Sequence, residues 1–355
     1  MSSESLSNKK IIYLVKTLDI GGAERFTSDL SKYFVNFFSE VSVYSSGGIF
    51  ADELLKSGVK IYKSAFTANN GIKNYFLLKR ELSRFFENNH FDIIHSQHRY
   101  FIPIINSLNL KKTKIVYTAN NYFDDYYQKL IKADAIVGIS PTIFNNLLKT
   151  MNSQKEKIIS INYGVTEIGN QHPKDGYRIG YIGRIIKEKG IFELLKAIRI
   201  LKNKFPDIKL LIFGEGKEKK GFQKLIVKYN LQNNIEMNDV SINLQEIYDR
   251  INIMALPTKL NEGLPISILE CLINKIIVIT TSRGAVKDVI IDGQTGFLID
   301  SPTADSIARK VAYVINNIER FDGLKSNANK EVKERYSSAQ MFEGYHTLYS
   351  NLINL

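Results

Sequence analysis

The amino-acid sequence predicts an α/β protein built as two doubly wound parallel sheets. Apolar runs such as IIYLV at 11–15 and INIMAL at 251–256 are short and do not alternate, as expected of strands buried on both faces. Segments with apolar residues at helical spacing lie between such runs, and strand alternating with helix is the pattern of a parallel sheet covered on both sides. The chain has 355 residues, too many for one ordinary core, and the pattern starts afresh near residue 178, so two domains follow.

Composition narrows the function. The chain is 44% hydrophobic and 24% charged, without a repeat or low-complexity tract. Its one cysteine, Cys271, excludes an internal disulfide framework and a cysteine-built metal cluster. No run reaches the ~18 apolar residues of a membrane span, and the start MSSESLSNKK lacks the form of a signal peptide, so the expected location is cytoplasmic. Net charge is +12, with 21 Lys and Arg against 14 Asp and Glu in residues 1–165, which gives a general affinity for polyanions. Nucleotide phosphates and an anionic membrane face are the partners to expect. Nucleic acid is not, because there is no zinc spacing, RNP-like aromatic motif or basic arm.

In the first domain, 1–165, strands are expected at Lys9–Lys16, Val41–Tyr44, Val59–Tyr62, Phe91–His95, Lys114–Thr118 and Ala135–Ile139. Gly21-Gly22 breaks the pattern after the first, and a helix follows over Ala23–Phe34. A glycine pair there lets backbone amides approach a phosphate or sugar. It is not a G-x-G-x-x-G, so the nicotinamide fingerprint is absent. Ligands of such sheets gather at the carboxyl ends of the strands, which puts His95, His98, Arg99, Asn120, Asn121 and Ser140 on the ligand rim. Asn74–Phe86 reads as a helix with the stripe Tyr75, Leu78, Leu82, Phe85 and Phe86. Lys73, Lys79, Arg80 and Arg84 make it basic, and Phe76 and Leu77 lie off the stripe; it is either a packed helix with a solvated face or an interfacial one.

Residues 166–177, with Gly169, Pro173 and Gly176, read as a linker. The second domain, 178–335, has strands expected at Arg178–Ile182, Lys209–Phe213, Asn234–Met237, Ile251–Leu256 and Asn274–Thr280. Gly183-Arg184 and Lys189 flank a turn into a helix over Ile191–Leu201, where a fork and a point charge suit a pyrophosphate. Gly214 and Gly216 make a turn after the next strand. After Leu256 comes a loop holding Glu262 and Gly263, then a helix opened by Pro265 with Glu270 two turns along. Eight residues on a helix turn through about 80°, so both carboxylates can look toward one crevice beside the free amides of a helix start. Phosphate at the amides and carboxylates for hydroxyls suit a nucleotide sugar. Residues 336–355 complete a helical, aromatic tail from Glu331 to Leu355.

These motifs carry a family resemblance. Glu262 and Glu270 with Gly263-Leu264-Pro265 between them resemble the E-x7-E signature of retaining glycosyltransferases of family 4, and GRIIKEKG at 183–190 resembles that family's G-R-x4-K-G segment. The resemblance runs from about Ile11 to about Tyr349 and is most specific in the second half. It implies the GT-B fold, two Rossmann-like domains facing each other across a cleft, with the tail helix crossing back toward the first domain. It implies that Gly183, Arg184 and Lys189 bind the donor diphosphate, that Gly214 and Gly216 turn beneath the nucleotide and that Gly21 and Gly22 face the donor diphosphate and the acceptor. Gly263 and Leu264 belong to the same donor site. Glu270 would hold the ribose, and Glu262 the sugar or adjacent backbone. The donor implied is a UDP- or GDP-sugar and the acceptor a saccharide, with a lipid-linked one at the cytoplasmic membrane surface expected from the basic first half. No D-x-D occurs, so no metal and no other cofactor are expected. The chain departs from the family at Asn120, where many members have a histidine; the catalytic base is then absent or is one of His95, His98, Asp124 and Asp125. A nucleotide-sugar 2-epimerase on the same fold, or a non-catalytic basic membrane-surface protein, is the rival reading.

Overall fold

The computed structural model describes residues 6–19, 21–65, 72–108, 110–122, 130–169, 173, 176–238 and 243–354. The chain divides into two compact units, one of Met1–Tyr163 with Ala339–Leu355, the other of Gly164–Ser338.

Unit 1 holds seven parallel strands: β1 (Lys10–Leu14), β2 (Glu40–Ser45), β3 (Lys60–Lys63), β4 (Ile93–Ser96), β5 (Lys114–Ala119), β6 (Ala135–Gly138) and β7 (Ile158–Ser160). Their order across the sheet is β3-β2-β1-β4-β5-β6-β7. Tyr13 of β1 lies level with Val43 on one side and His95 on the other. The interior residues of β1, β4 and β6 are all buried, which is why these runs do not alternate. Helices α1 (Gly22–Phe34), α2 (Ala51–Lys56), α3 (Ile72–Asn88), α4 (Phe101–Asn106) and α5 (Pro141–Thr150) make the connections. In α3 the expected stripe faces inward: Leu78 and Leu82 are buried, and Phe85 meets Tyr44 and Tyr62 with ring centroids 5.2 and 4.8 Å apart.

Unit 2 holds six parallel strands: β8 (Arg178–Ile182), β9 (Lys209–Phe213), β10 (Ile235–Asn238), β11 (Ile253–Leu256), β12 (Ile277–Thr281) and β13 (Phe297–Ile299). The order β10-β9-β8-β11-β12-β13 reverses direction between β8 and β11, as the first sheet does between β1 and β4. At such a reversal the loops leaving the carboxyl ends run to opposite faces and open a crevice. The helices of this unit are α6 (Ile191–Leu201), α7 (Lys219–Lys228), α8 (Leu244–Tyr248), α9 (Ile266–Ile273), α10 (Ala304–Asn316) and α11 (Asp322–Arg335).

The tail differs from the sequence expectation. It is two helices, α11 and α12 (Ser338–Asn354), broken at Tyr336 and Ser337. Val165 pairs with the break: its amide donates to the Tyr336 carbonyl at 2.8 Å, and Ser338 donates to the Val165 carbonyl at 3.0 Å. The backbone therefore leaves the helix to make a short strand-like bridge. Beyond it α12 belongs to unit 1, where Phe342 stacks on Tyr33 at 4.1 Å and Tyr345 and Tyr349 are buried. Strands β7 and β13 were also not expected from the sequence. Each is only three residues long, at or below the length at which a run stands out from a loop.

Candidate functional site

In unit 2 the loops at the β8/β11 reversal hold most of the expected donor residues. The backbone of Gly214-Glu215-Gly216 packs directly on that of Gly183-Arg184-Ile185. The Ile185 amide donates to the Glu215 carbonyl at 2.8 Å, and a Cβ on Gly214 would fall 1.9 Å from the Gly183 carbonyl oxygen. These glycines are thus explained by the contact of two loops. That contact, with a hydrogen bond from the Tyr181 hydroxyl to the Arg184 carbonyl (2.7 Å), fixes the main chain of Arg184. Its guanidinium is exposed and has no carboxylate partner among the described residues.

Lys189 sits differently. The turn before α6 closes at Gly190, whose φ of 74° brings it so near the next loop that a Cβ would lie 2.0 Å from the Pro257 carbonyl oxygen. This close approach aims Lys189 into the unit, where its Nζ lies 2.6 Å from Glu262 Oε1. Both side chains are nearly covered, 11% and 12% exposed. Thr258, fully buried, donates to the same carboxylate oxygen at 3.0 Å. The Glu262 carbonyl accepts from Ala285 at 2.9 Å, beside Gly284 with φ of 58°. Oε2 of Glu262 has no hydrogen-bond partner among the described residues and remains able to accept a hydroxyl. The sequence assigns both cations to the donor diphosphate; Arg184 is exposed, whereas Lys189 is buried in an ion pair with Glu262. Thr258 was not foreseen. A hydroxyl directly after a strand end and Pro257 was the one signal for it.

Glu270 lies in α9, 9% exposed, and its Oε2 accepts from the buried Tyr248 hydroxyl at 2.7 Å. The helix begins at Ile266, one residue later than expected, with Pro265 as its cap and no side chain capping its first amides. Just before it, Leu264 has a φ of 154°, a backbone strain of ~1–3 kcal/mol of the kind that gathers at binding sites. Gly263 sits in the same loop. No described contact joins Glu270 to the Lys189–Glu262 pair. Cys271, beside Glu270, is fully buried, and burial pushes its thiol well above the ordinary range.

In unit 1 the loops at the β1/β4 reversal hold Gly21, Gly22, His98 and Arg99. Gly21 is extended and caps α1; a Cβ there would fall 2.1 Å from Glu24 Oε2, so the glycine makes room for that carboxylate. Glu24 Oε1 is 3.9 Å from His98 Nε2. Burial and the nearby Lys16 ammonium push the His98 imidazolium down, so the ring is neutral near pH 7. Ser140 is a helix cap: its Oγ accepts from Ile143 N at 3.3 Å. Asn121 is exposed. His95 is corrected as a base candidate. It is fully buried, Nδ1 lies 2.6 Å from the Tyr349 hydroxyl, and Nε2 lies 2.7 Å from Thr118 Oγ1. No substrate can reach either nitrogen, and burial lowers its imidazolium to about 3. Asp124 and Asp125 lie outside the described residues. Asn120 is at the strand end, where its Nδ2 donates to the Gln97 carbonyl and to Gln97 Oε1, both at 3.2 Å.

Two doubly wound units, one with paired charges at its strand reversal, define a GT-B glycosyltransferase. The comparisons agree. Residues 20–167 match the model of Glycosyltransferase Family 4, and residues 166–331 that of Glycosyl transferases group 1. The chain therefore belongs to the family-4 and group-1 glycosyltransferases. An uncharacterized glycosyltransferase of Methanocaldococcus jannaschii is 26% identical over 349 residues, 85% of this chain and 87% of that protein. The capsular polysaccharide biosynthesis glycosyltransferase CapM of Staphylococcus aureus is 25% identical over 239 residues, which span 62% of this chain and 62% of CapM. The structure of HepE from Anabaena in complex with UDP-glucose superimposes with a TM-score of 0.81 at 16% identity, over 97% of this chain and all of that one. At that identity the likeness is one of fold. Among the described residues no helix is long and apolar enough to cross a membrane, and no cluster of three or more His, Cys, Asp or Glu could hold a metal ion.

Proposed function

We propose that the protein transfers a hexosyl group from a UDP- or GDP-sugar to a hydroxyl of a lipid-linked saccharide, with retention, in the synthesis of a surface polysaccharide or glycolipid. The observation that carries this reading is the cluster of Lys189, Glu262 and Thr258 beside the exposed Arg184 at the strand reversal of unit 2. Arg184 supplies a free fork for the diphosphate, and the uncapped start of α9 supplies amides. Together they neutralise charge developing on the leaving diphosphate. Glu270, steadied by Tyr248, takes ribose hydroxyls, and Glu262 Oε2 takes a hydroxyl of the sugar. No metal is part of this reading, since Arg184 and the helix amides do this work.

The lipid-linked acceptor is supported by α3. Phe76 and Leu77 are 62% and 54% exposed, and Arg80 and Arg84, also exposed, lie on the same face of the helix. Apolar and cationic side chains side by side on an exposed helix face suit an anionic lipid surface. The HepE complex with UDP-glucose and the capsular role of CapM point to the same chemistry.

A thermal-shift screen against UDP-, GDP-, ADP- and TDP-sugars tests the donor, because a ligand at about 100 times its Kd adds ~2.7 kcal/mol. The best donor is then incubated with lipid extract or with soluble oligosaccharides. Product on the lipid fraction is the expected result. Product only on soluble saccharide overturns the acceptor; a donor isomerised with no acceptor present overturns transfer in favour of a 2-epimerase.

A further inference from the structure

At one edge of the unit 2 sheet lies a cavity that the proposed chemistry does not use. There β13 is the last strand, and β12 separates it from β11, whose loop holds Glu262. Between β13 and α10 the cavity has a volume of about 430 Å³, and small-molecule sites usually occupy roughly 300–1,000 Å³. Its apolar part is aromatic. Phe297 is buried, and Tyr313 meets it edge to face with ring centroids 5.8 Å apart while remaining 51% exposed. Its polar part divides in two. Asp292 is engaged: Oδ1 accepts from the Leu298 amide at 2.7 Å and lies 3.7 Å from Lys310 Nζ, which stands 5.7 Å from the centre of the Phe297 ring. Asp300 and Arg309 are both exposed and make no ion pair among the described residues; Arg309 makes one bond, from Nη2 to Ser306 Oγ at 3.3 Å. The Tyr313 hydroxyl has no described partner. An ionised Asp300 can only accept, Arg309 can only donate, and Tyr313 can do either.

The charges decide the class of ligand. Asp292 and Asp300 balance Arg309 and Lys310, so the lining carries no net charge. An anion would meet Asp300 and a cation would meet Arg309, each a like charge that costs binding. A small zwitterion would serve both but leave the Tyr313 ring and much of the volume unused. Hydroxyl groups donate to the carboxylate and accept from the guanidinium, and the C–H face of a pyranose ring can cover an aromatic ring. We propose that the cavity between β13 and α10 is a saccharide-binding site that takes an uncharged oligosaccharide, with Tyr313 as its platform and Asp300 and Arg309 as its hydrogen-bonding arms. The binding is argued from the lining alone; its use, to retain the acceptor or the product, rests on the proposed transferase reading.

Saturation-transfer NMR and calorimetry with maltotetraose, cellotetraose, mannotetraose and chitotetraose test this, with no nucleotide sugar present. At least one should bind at millimolar concentration, with an affinity that does not fall as salt is raised, since the ligand is uncharged. Tyr313→Ala should weaken it about 2- to 12-fold, and Asp300→Ala about 10- to 150-fold. Both residues are exposed, so the variants should fold, and any affinity for UDP should stay at the wild-type value. Failure of all four to bind, or binding that neither substitution weakens, overturns the proposal. So does tighter binding of inorganic phosphate or of glutamine through these residues, which would make the cavity an anion or a zwitterion site. Absence of UDP binding in the wild type counts against the donor reading and leaves the saccharide result standing.

Discussion

Replacing Lys189 by methionine separates the two jobs that the unit 2 cluster combines. Methionine keeps most of the aliphatic stem and removes the ammonium 2.6 Å from Glu262 Oε1. The carboxylate is 12% exposed and would keep only the Thr258 hydroxyl on that oxygen. Breaking a buried pair by removing one partner costs about 3–5 kcal/mol, because a charge is left uncompensated. The small exposure lets water reach Glu262, so we take ~2–4 kcal/mol. At a urea slope of ~1–3 kcal/mol/M, a shift of about 1–2 M in the midpoint of unit 2 follows. Glu262→Gln removes the uncompensated charge, so Lys189→Met with Glu262→Gln should be more stable than the sum of the single changes by at least ~1 kcal/mol. Arg184→Ala is the control: its guanidinium is exposed and unpaired among the described residues, so stability should stay within ~0.5 kcal/mol of wild type while turnover drops. The assay is urea denaturation of the four-member cycle alongside UDP binding by calorimetry. Additive losses, or a Lys189→Met variant as stable as wild type, would refute the account of a compensated, water-excluded pair.

Three further outcomes follow. Tyr248→Phe removes the buried donor to Glu270 and should cost ~1–3 kcal/mol in urea denaturation; an unchanged midpoint would show the 2.7 Å bond contributes nothing. His95 binds its proton only near pH 3 in the folded protein, against ~6.5 when unfolded. Its contribution is therefore whole above pH ~6.5 and is lost as pH falls toward 3, at up to ~1.4 kcal/mol per pH unit. His95→Gln should flatten that slope between pH 4.5 and 6.5, and a parallel profile would count against it. For α3, changing Phe76 and Leu77 to Ser and Arg80 and Arg84 to Gln should abolish salt-sensitive sedimentation with anionic vesicles, since each cation contributes ~1 kcal/mol at such a surface; equal binding to neutral vesicles would exclude the docking role.

The fold was legible in the sequence because buried parallel strands betray themselves by runs without alternation, and ten of the eleven expected strands have ends within two residues of those observed. What could not be read was the strand order. Lys189 and Glu262 lie on different strand–helix connections, and they meet because β8 and β11 are hydrogen-bonded neighbours. Periodicity says nothing of which strands are neighbours; the likeness to a family assigned Lys189 and Glu262 to one donor site but not to each other. The break at Tyr336-Ser337 was illegible for a related reason, since its cause is a bridge to Val165 far away in sequence.

The rim of unit 1 was read least well, and the reason lies in the kind of interaction it uses. Charges advertise themselves: Arg184, Lys189, Glu262 and Glu270 are the residue types that bind phosphate and hydroxyls, and burying the last three without purpose is costly. Asn120, Gln97 and Thr118 are common loop and strand residues, and only their mutual geometry gives them a direction. His95 shows how this misleads, because a histidine at a strand end looks like a base and is instead a neutral link in a buried chain. If Arg184 binds the donor diphosphate as proposed, that binding must weaken as salt screens an exposed cation. Raising salt should then weaken UDP binding in calorimetry, and Arg184→Ala should remove most of that salt dependence; a dependence unchanged in the variant would take the diphosphate away from Arg184.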